Sequence, residues 1–211
     1  MDLVQPILVA RTGEHAATVS CAARASLLAY VQPLMAGAPV ASIWETWLTD
    51  SDGAIATTVR EAGPDDLDAA ARWAEQQLLG HLLIADGSSA ALALAPMSSS
   101  ELRAVVVQMP ESDTDLPRHE VAAKPAPTTV RVEVLASLTT TSAAGHAVRA
   151  MWAWAVPQLI DAPEPLAEWA RTGGAIDLAV VDELDTRDGA FVVNDQGAPA
   201  AVAIPGRILR E

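Results

Sequence analysis

Residues 82–96 read LLIADGSSAALALAP. One apolar run reaches Asp86-Gly87, a second leaves it, and Pro96 closes the segment. Asp-Gly between two such runs is a strong short-range hairpin signal, because glycine accepts the positive φ that a tight turn demands. Residues 80–85 and 89–95 are therefore read as a pair of strands. Upstream, Gly63-Pro64-Asp65 is a helix start, and Leu67, Ala71, Ala74 and Leu78 follow it at helical spacing. Residues 54–60 alternate weakly and are rich in Thr, Val and Ile, which predicts a strand. Residues 42–48 suit a short helix with Trp44 and Trp47 on one face. Residues 16–31 form a helix that is apolar on almost every side, ended by Pro33, Gly37 and Pro39. Residues 3–10 predict a strand beginning after Pro6. Downstream, residues 100–110 predict a helical turn followed by the short strand VVVQM. Helices alternating with strands, plus a hairpin, predict an α/β protein with a mixed sheet flanked by helices.

The same signals recur in the second half. Residues 195–205 read DQGAPAAVAIP, echoing the segment that starts at Asp86. Gly-Ala-Ile opens an apolar run at 53 and again at 174, 121 positions on. Ala23-Arg24-Ala25 has a counterpart in Val148-Arg149-Ala150 at an offset of 125, and Trp47 has one in Trp169 at 122. The offset at the Asp is 109. A block of about a dozen residues has dropped out where the first half carries DDLDAAARWAEQ. A repeat of this period is too long for a solenoid and reads as one unit occurring twice, the second copy shortened. The expected organisation is a domain over 1–118, a polar Pro-containing linker over 119–128, and a degenerate copy over 129–211. In that copy, 129–136, 175–182, 190–194 and 199–204 are strands. Residues 142–156 are a second all-round apolar helix, ended by Pro157, Pro163 and Pro165.

Composition narrows the function. Half of the 211 residues are apolar, mostly Ala, Val and Leu, with one Phe, one Tyr and six Trp. This suits helices packed close on a sheet. The formal charge is −14, and Lys124 is the one lysine. There is no basic run of the kind that drives phosphate-backbone binding by counterion release. A single cysteine, Cys21, excludes an internal disulfide and a Cys-based zinc site. No signal peptide or membrane span is visible, so a cytoplasmic protein is expected.

The order strand, small-residue helix, Trp-containing turn, strand, helix, strand, Asp-Gly turn, strand, Pro resembles the type 2 peptidyl-tRNA hydrolase family. SCAARASLLAY (20–30) is similar to that family's Ala-rich first helix, and LLIADGSSAALALAP to its strand–Asp-Gly–strand segment. LRAVVVQMPESDTDLP (102–117) looks like the closing segment of divergent, actinobacterial-type members. The resemblance covers 3–118 and runs more faintly over 128–206. It implies a mixed four-stranded sheet flanked by helices, and metal-free, cofactor-free hydrolysis of the ester in peptidyl-tRNA. The implied partner is peptidyl-tRNA, on a monomer that is an internal pseudo-dimer or on a homodimer, with no membrane and no metal involved. Carried over position by position, the family's Lys falls at Ala17, its Gln at Cys21 and its His at Arg24, while its Asp is kept as Asp86. In the second copy the Lys falls at Ala143 and the Asp is kept as Asp195. The glycines before the lysine positions are replaced by Ala16 and Ser142.

The expected catalytic residues are Asp86, to orient water, and Arg24, to hold a phosphate or oxyanion. Asp195 and Arg149 are the matching binding residues of the second copy. Each has a plainer reading. Asp86 is also a common turn residue, and Arg24 and Arg149 could lay their stems on apolar surface with the head in water. An ion pair within each copy, Arg24–Asp86 and Arg149–Asp195, is the other possibility. His15 and His146, near the helix starts, read as exposed or capping residues, and the Trp residues as packing anchors. Two functions stay open: a divergent esterase acting on peptidyl-tRNA or a related acyl-tRNA, or an inactive binding or structural module of the same fold.

Overall fold

A computed structural model describes residues 3–50, 55–98, 100–102, 129–161 and 163–206. The expected linker over 119–128 and the VVVQM strand lie outside these residues. The first part of the chain runs β1 (Leu3–Ala10), α1 (His15–Met35), α2 (Ser42–Asp50), β2 (Thr57–Ala62), α3 (Pro64–Gln76), β3 (His81–Asp86), β4 (Ser89–Leu94) and β5 (Met97–Ser98). The second runs β6 (Val130–Leu135), α4 (Thr140–Asp161), α5 (Glu164–Arg171), β7 (Ile176–Val181), β8 (Phe191–Asp195) and β9 (Ala198–Pro205).

Two mixed sheets result. The first is ordered β2-β1-β4-β3, with β5 paired to the start of β1; the second is ordered β7-β6-β9-β8. In each, the first strand is parallel to the second and antiparallel to the last, and the last two strands form a hairpin. The two sheets therefore share strand order and pairing sense.

Three proline expectations need correction. β1 runs through Pro6 rather than starting after it. Its antiparallel partner changes there, from β5 at Leu3 and Val4 to β4 at Ile7, so the ladder loses little from a missing N–H. α1 continues past Pro33 to Met35, and α4 past Pro157 to Asp161. Each proline stands near its helix's C-terminus, where few later turns depend on the disturbed geometry. Gly37, at φ 67, follows α1, with its N–H and that of Ala38 bonded back to the carbonyls of Leu34 and Pro33.

α1 and α4 explain why both helices are apolar all round. Each lies on its own sheet, packs along the other helix, and reaches the edge strand of the opposite sheet: α1 touches β7 and α4 touches β2. One core cluster runs across this seam and takes Ile7, Leu28, Trp47, Val132, Met151 and Trp169 from both parts of the chain. Trp152 of α4 sits among Tyr30, Trp44 and Trp47, with ring centroids 5.1–6.1 Å away. Its indole N–H donates to Ser26 Oγ at 2.8 Å. That hydroxyl donates to Gln5 Oε1, and the Gln5 amide returns a bond to the Ser26 carbonyl. All three groups are buried and satisfied.

The outer faces of the sheets differ. On the first, α3 covers a second apolar cluster built from Leu8, Ala62, Leu67, Ala70, Leu92 and Leu94. On the second, the β7–β8 connection at 182–190 carries no helix. Buried Glu133 of β6 instead accepts Arg131 Nε at 2.8 Å and the Asp185 N–H at 2.8 Å, while Arg131 also reaches Asp177. Arg187 closes the network onto Asp185. Among the described residues, no helix is long and apolar enough to cross a membrane.

Candidate functional site

In the first half, the expected site is closed by its own neighbours. Glu14 caps α1, its carboxylate accepting the N–H of Ala17 at 2.7 Å and of Ala16 at 3.2 Å. Those bonds hold the Glu14 carboxyl below its ordinary range. The helix end where the resemblance places a lysine thus carries a fixed negative charge. Arg24 is only 5% exposed. Its Nη2 donates to the Gly173 carbonyl at 3.1 Å, just past the C-terminus of α5, where a cation suits the helix dipole. Its Nε has no hydrogen-bond partner among the described residues. The reading of Arg24 with its head in water is therefore corrected: the guanidinium is held in the seam.

Burial pulls the Arg24 guanidinium below its ordinary value, opposed by nearby Cys21 and Asp86. Burial also pushes the Cys21 thiol up to about 11, so that it stays protonated and unreactive at neutral pH. Asp86 is exposed at the end of β3, opposite Ser89 across the two-residue turn, with Gly87 at φ 57. No ion pair joins it to Arg24 among the described residues.

The second half holds an open cleft of about 410 Å³ at the seam. One wall is β2 of the first sheet, through Thr57, Thr58 and Val59. The other is the start of α4, through Thr141, Ser142 and Gly145, with His146, Arg149 and Asp195. Arg149 and Asp195 do come together, but through His146. Arg149 Nη2 donates to His146 Nδ1, and His146 Nε2 lies 3.5 Å from Asp195 Oδ2. A guanidinium can only donate, so Nδ1 accepts, and the ring proton of neutral His146 belongs on Nε2, facing the carboxylate.

His146 is 3% exposed, which corrects its reading as a surface or capping residue. Burial, then the Arg149 charge, lowers its pKa; Asp195 acts in the opposite direction. His146 stands 125 positions after Cys21, the same offset that separates Arg149 from Arg24. His15 also departs from a capping role: its Nδ1 meets Thr140 Oγ1 at 3.0 Å across the seam.

Chemically, the cleft offers one guanidinium oriented by a His–Asp pair, several hydroxyls and a carboxylate. Both ring nitrogens of His146 are occupied, which suits a positioning role better than proton transfer. Among the described residues, no group of side chains could hold a metal ion. No family model matches this sequence, and no curated protein matches it.

Proposed function

We propose that this chain is a non-catalytic relative of the type 2 peptidyl-tRNA hydrolase unit, duplicated within one chain and closed on itself as an internal pseudo-dimer whose role is binding. The observation that carries this reading is Arg24. The guanidinium expected to act with the kept Asp86 is bonded to the Gly173 carbonyl and buried, so it is not presented to an oxyanion or phosphate. Glu14 adds a carboxylate where the resemblance calls for a lysine. Loss of one oxyanion donor typically costs about 10²–10³ in rate. The shared strand order of the two sheets, the crosswise helix-to-edge contacts and the contact between His15 and Thr140, which are equivalent at an offset of 125, support the pseudo-dimer. The seam cleft around Arg149 is then the binding surface.

Purified protein incubated with peptidyl-tRNA should release peptide no faster than buffer, in the wild type and in Asp86→Ala alike. Turnover that disappears in Asp86→Ala would overturn the proposal. A second reading is favoured by the His146–Asp195 contact beside the hydroxyl-lined cleft: ester hydrolysis confined to the second half. It requires turnover that survives Asp86→Ala and is lost in both His146→Gln and Asp195→Asn.

A further inference from the structure

A second cavity, of about 240 Å³, lies between α3 and the outer face of the first sheet. Its apolar wall comes from Ala10, Leu67, Leu83, Ala85 and Ala90, and exposed Thr12, Gly87 and Ser88 form its rim. One charged residue lines it. Asp68, on α3, is 9% exposed and makes no hydrogen bond or ion pair with any described residue. Among the described residues it is not one of the polar groups sealed away without a partner, so its carboxylate keeps solvent access where it lines the cavity.

A carboxylate so deeply placed is costly unless something pairs with it. Its neighbours on α3 show what the fold does with such groups when they are structural: Asp66 accepts the Gly63 N–H at 3.0 Å and caps the helix. Asp68 serves no such bond. A mostly apolar cavity with one placed charged group is the pattern of a small-molecule site. The surrounding field also selects the sign. The chain carries −14, Asp65 and Asp66 share the first turn of α3, and Asp86 adjoins the rim; against these stand Arg11, between Ala10 and Thr12, and Arg72, one turn after Asp68, so the balance favours a cation.

We propose that this cavity binds a small organic ammonium ion, its apolar body against the sheet and its charged nitrogen on Asp68. The volume sets the size. A dry cavity of roughly 150 Å³ accommodates benzene, so one arylmethyl or short alkyl group with its ammonium fits here. For a ligand of eight or so heavy atoms, a dissociation constant on the order of 0.1–1 mM is expected.

The test is titration of the intact protein with benzylammonium, benzyl alcohol and benzoate, followed by calorimetry and by amide chemical shifts. Benzylammonium should bind, the alcohol at least tenfold more weakly, and benzoate not at all. Asp68→Asn should reduce benzylammonium to the affinity of the alcohol without lowering the melting temperature, because no described residue bonds this carboxylate and its charge is costly to bury. Ala90→Leu, which fills the cavity from β4, should abolish binding of both. Asp195→Asn, in the seam cleft, should leave binding unchanged. The proposal falls if benzylammonium does not bind, if benzoate binds equally well, or if Asp68→Asn binds it as tightly as the wild type. Because no tRNA enters this experiment, its failure would leave the reading of the seam untouched.

Discussion

Gln196 holds a conformation that L side chains avoid. It and Gly197 are the two central residues of the β8–β9 turn, at φ 49 and φ 86, and only the second is a glycine. Positive φ at both positions is what a type I′ hairpin requires, and a non-glycine residue there costs about 1–2 kcal/mol. Asparagine tolerates the region better. Gln196→Asn should stabilise the protein by about 0.5–1 kcal/mol in urea denaturation; a loss of stability would contradict the turn assignment. His146 makes a pH prediction. Its pKa in the folded protein lies below the unfolded value of 6.5, so the unfolded chain binds the extra proton as the pH falls. Its contribution to stability is complete above about pH 6.5 and is lost as the pH drops through the folded pKa. The urea midpoint should fall between pH 7.5 and 5.5, and His146→Gln should remove much of that dependence. An equal slope in the variant would contradict it. Local sequence concealed this residue. It shares its cleft with Asp195, 49 positions on, and with threonines of the other sheet, neither of which helix periodicity can report.

At the scale of elements, the presence or absence of a covering helix is written into the strand beneath it. Leu8 of β1 lies beside Leu92, under α3, in an apolar cluster. At the corresponding register, Glu133 of β6 lies beside Val202, where the chain has no helix to place on it, and meets Arg131 and the Asp185 N–H instead. Glu133→Ala should cost about 1–2 kcal/mol, since it leaves a half-buried N–H and the Arg131 guanidinium without their acceptor. Leu8→Glu in the first half should prevent folding, because the same charge would be buried there without partners. Unchanged denaturation midpoints would contradict either expectation. The strands and the two hairpins were legible because apolar runs and turn glycines are local signals, but the first turn lies one residue later than read: Asp86 ends β3 opposite Ser89, and Gly87-Ser88 make the turn. Helix ends were less so. Pro33 and Pro157 read as stops, yet near a C-terminus a proline disturbs too little of the helix to end it, and Gly37 supplied the actual stop after α1. Of the expected site, Arg149 and Asp195 share the seam cleft through His146, whereas the environment of Arg24 was unreadable: its partner is a backbone carbonyl 149 positions away.

For the molecule as a whole, the seam is the organising feature. The all-round apolar character of residues 16–31 and 142–156 already required two covered faces on each helix, and the second face proves to be the other helix. Gly174 shows how tight the fit is: it adopts φ 64, and a Cβ there would come within 2.7 Å of Leu28 Cδ1 on α1. Ser26→Ala would leave the Trp152 N–H and Gln5 Oε1 unpartnered in the core, at a cost of about 2–3 kcal/mol. Because one core cluster takes side chains from both halves, the helix-covered face of each sheet is completed by the other half, while the cluster under α3 belongs to the first half alone. The most direct test is equilibrium urea unfolding of the intact chain, followed by tryptophan fluorescence, which reports the Trp44–Trp47–Trp152 cluster at the seam, and by far-ultraviolet circular dichroism, which reports both sheets. The two probes should trace one coincident transition, displaced together by Ser26→Ala. Fluorescence lost in a first step, with most of the backbone signal surviving to a second, would mean that the halves stand independently and that the seam does not hold the molecule together.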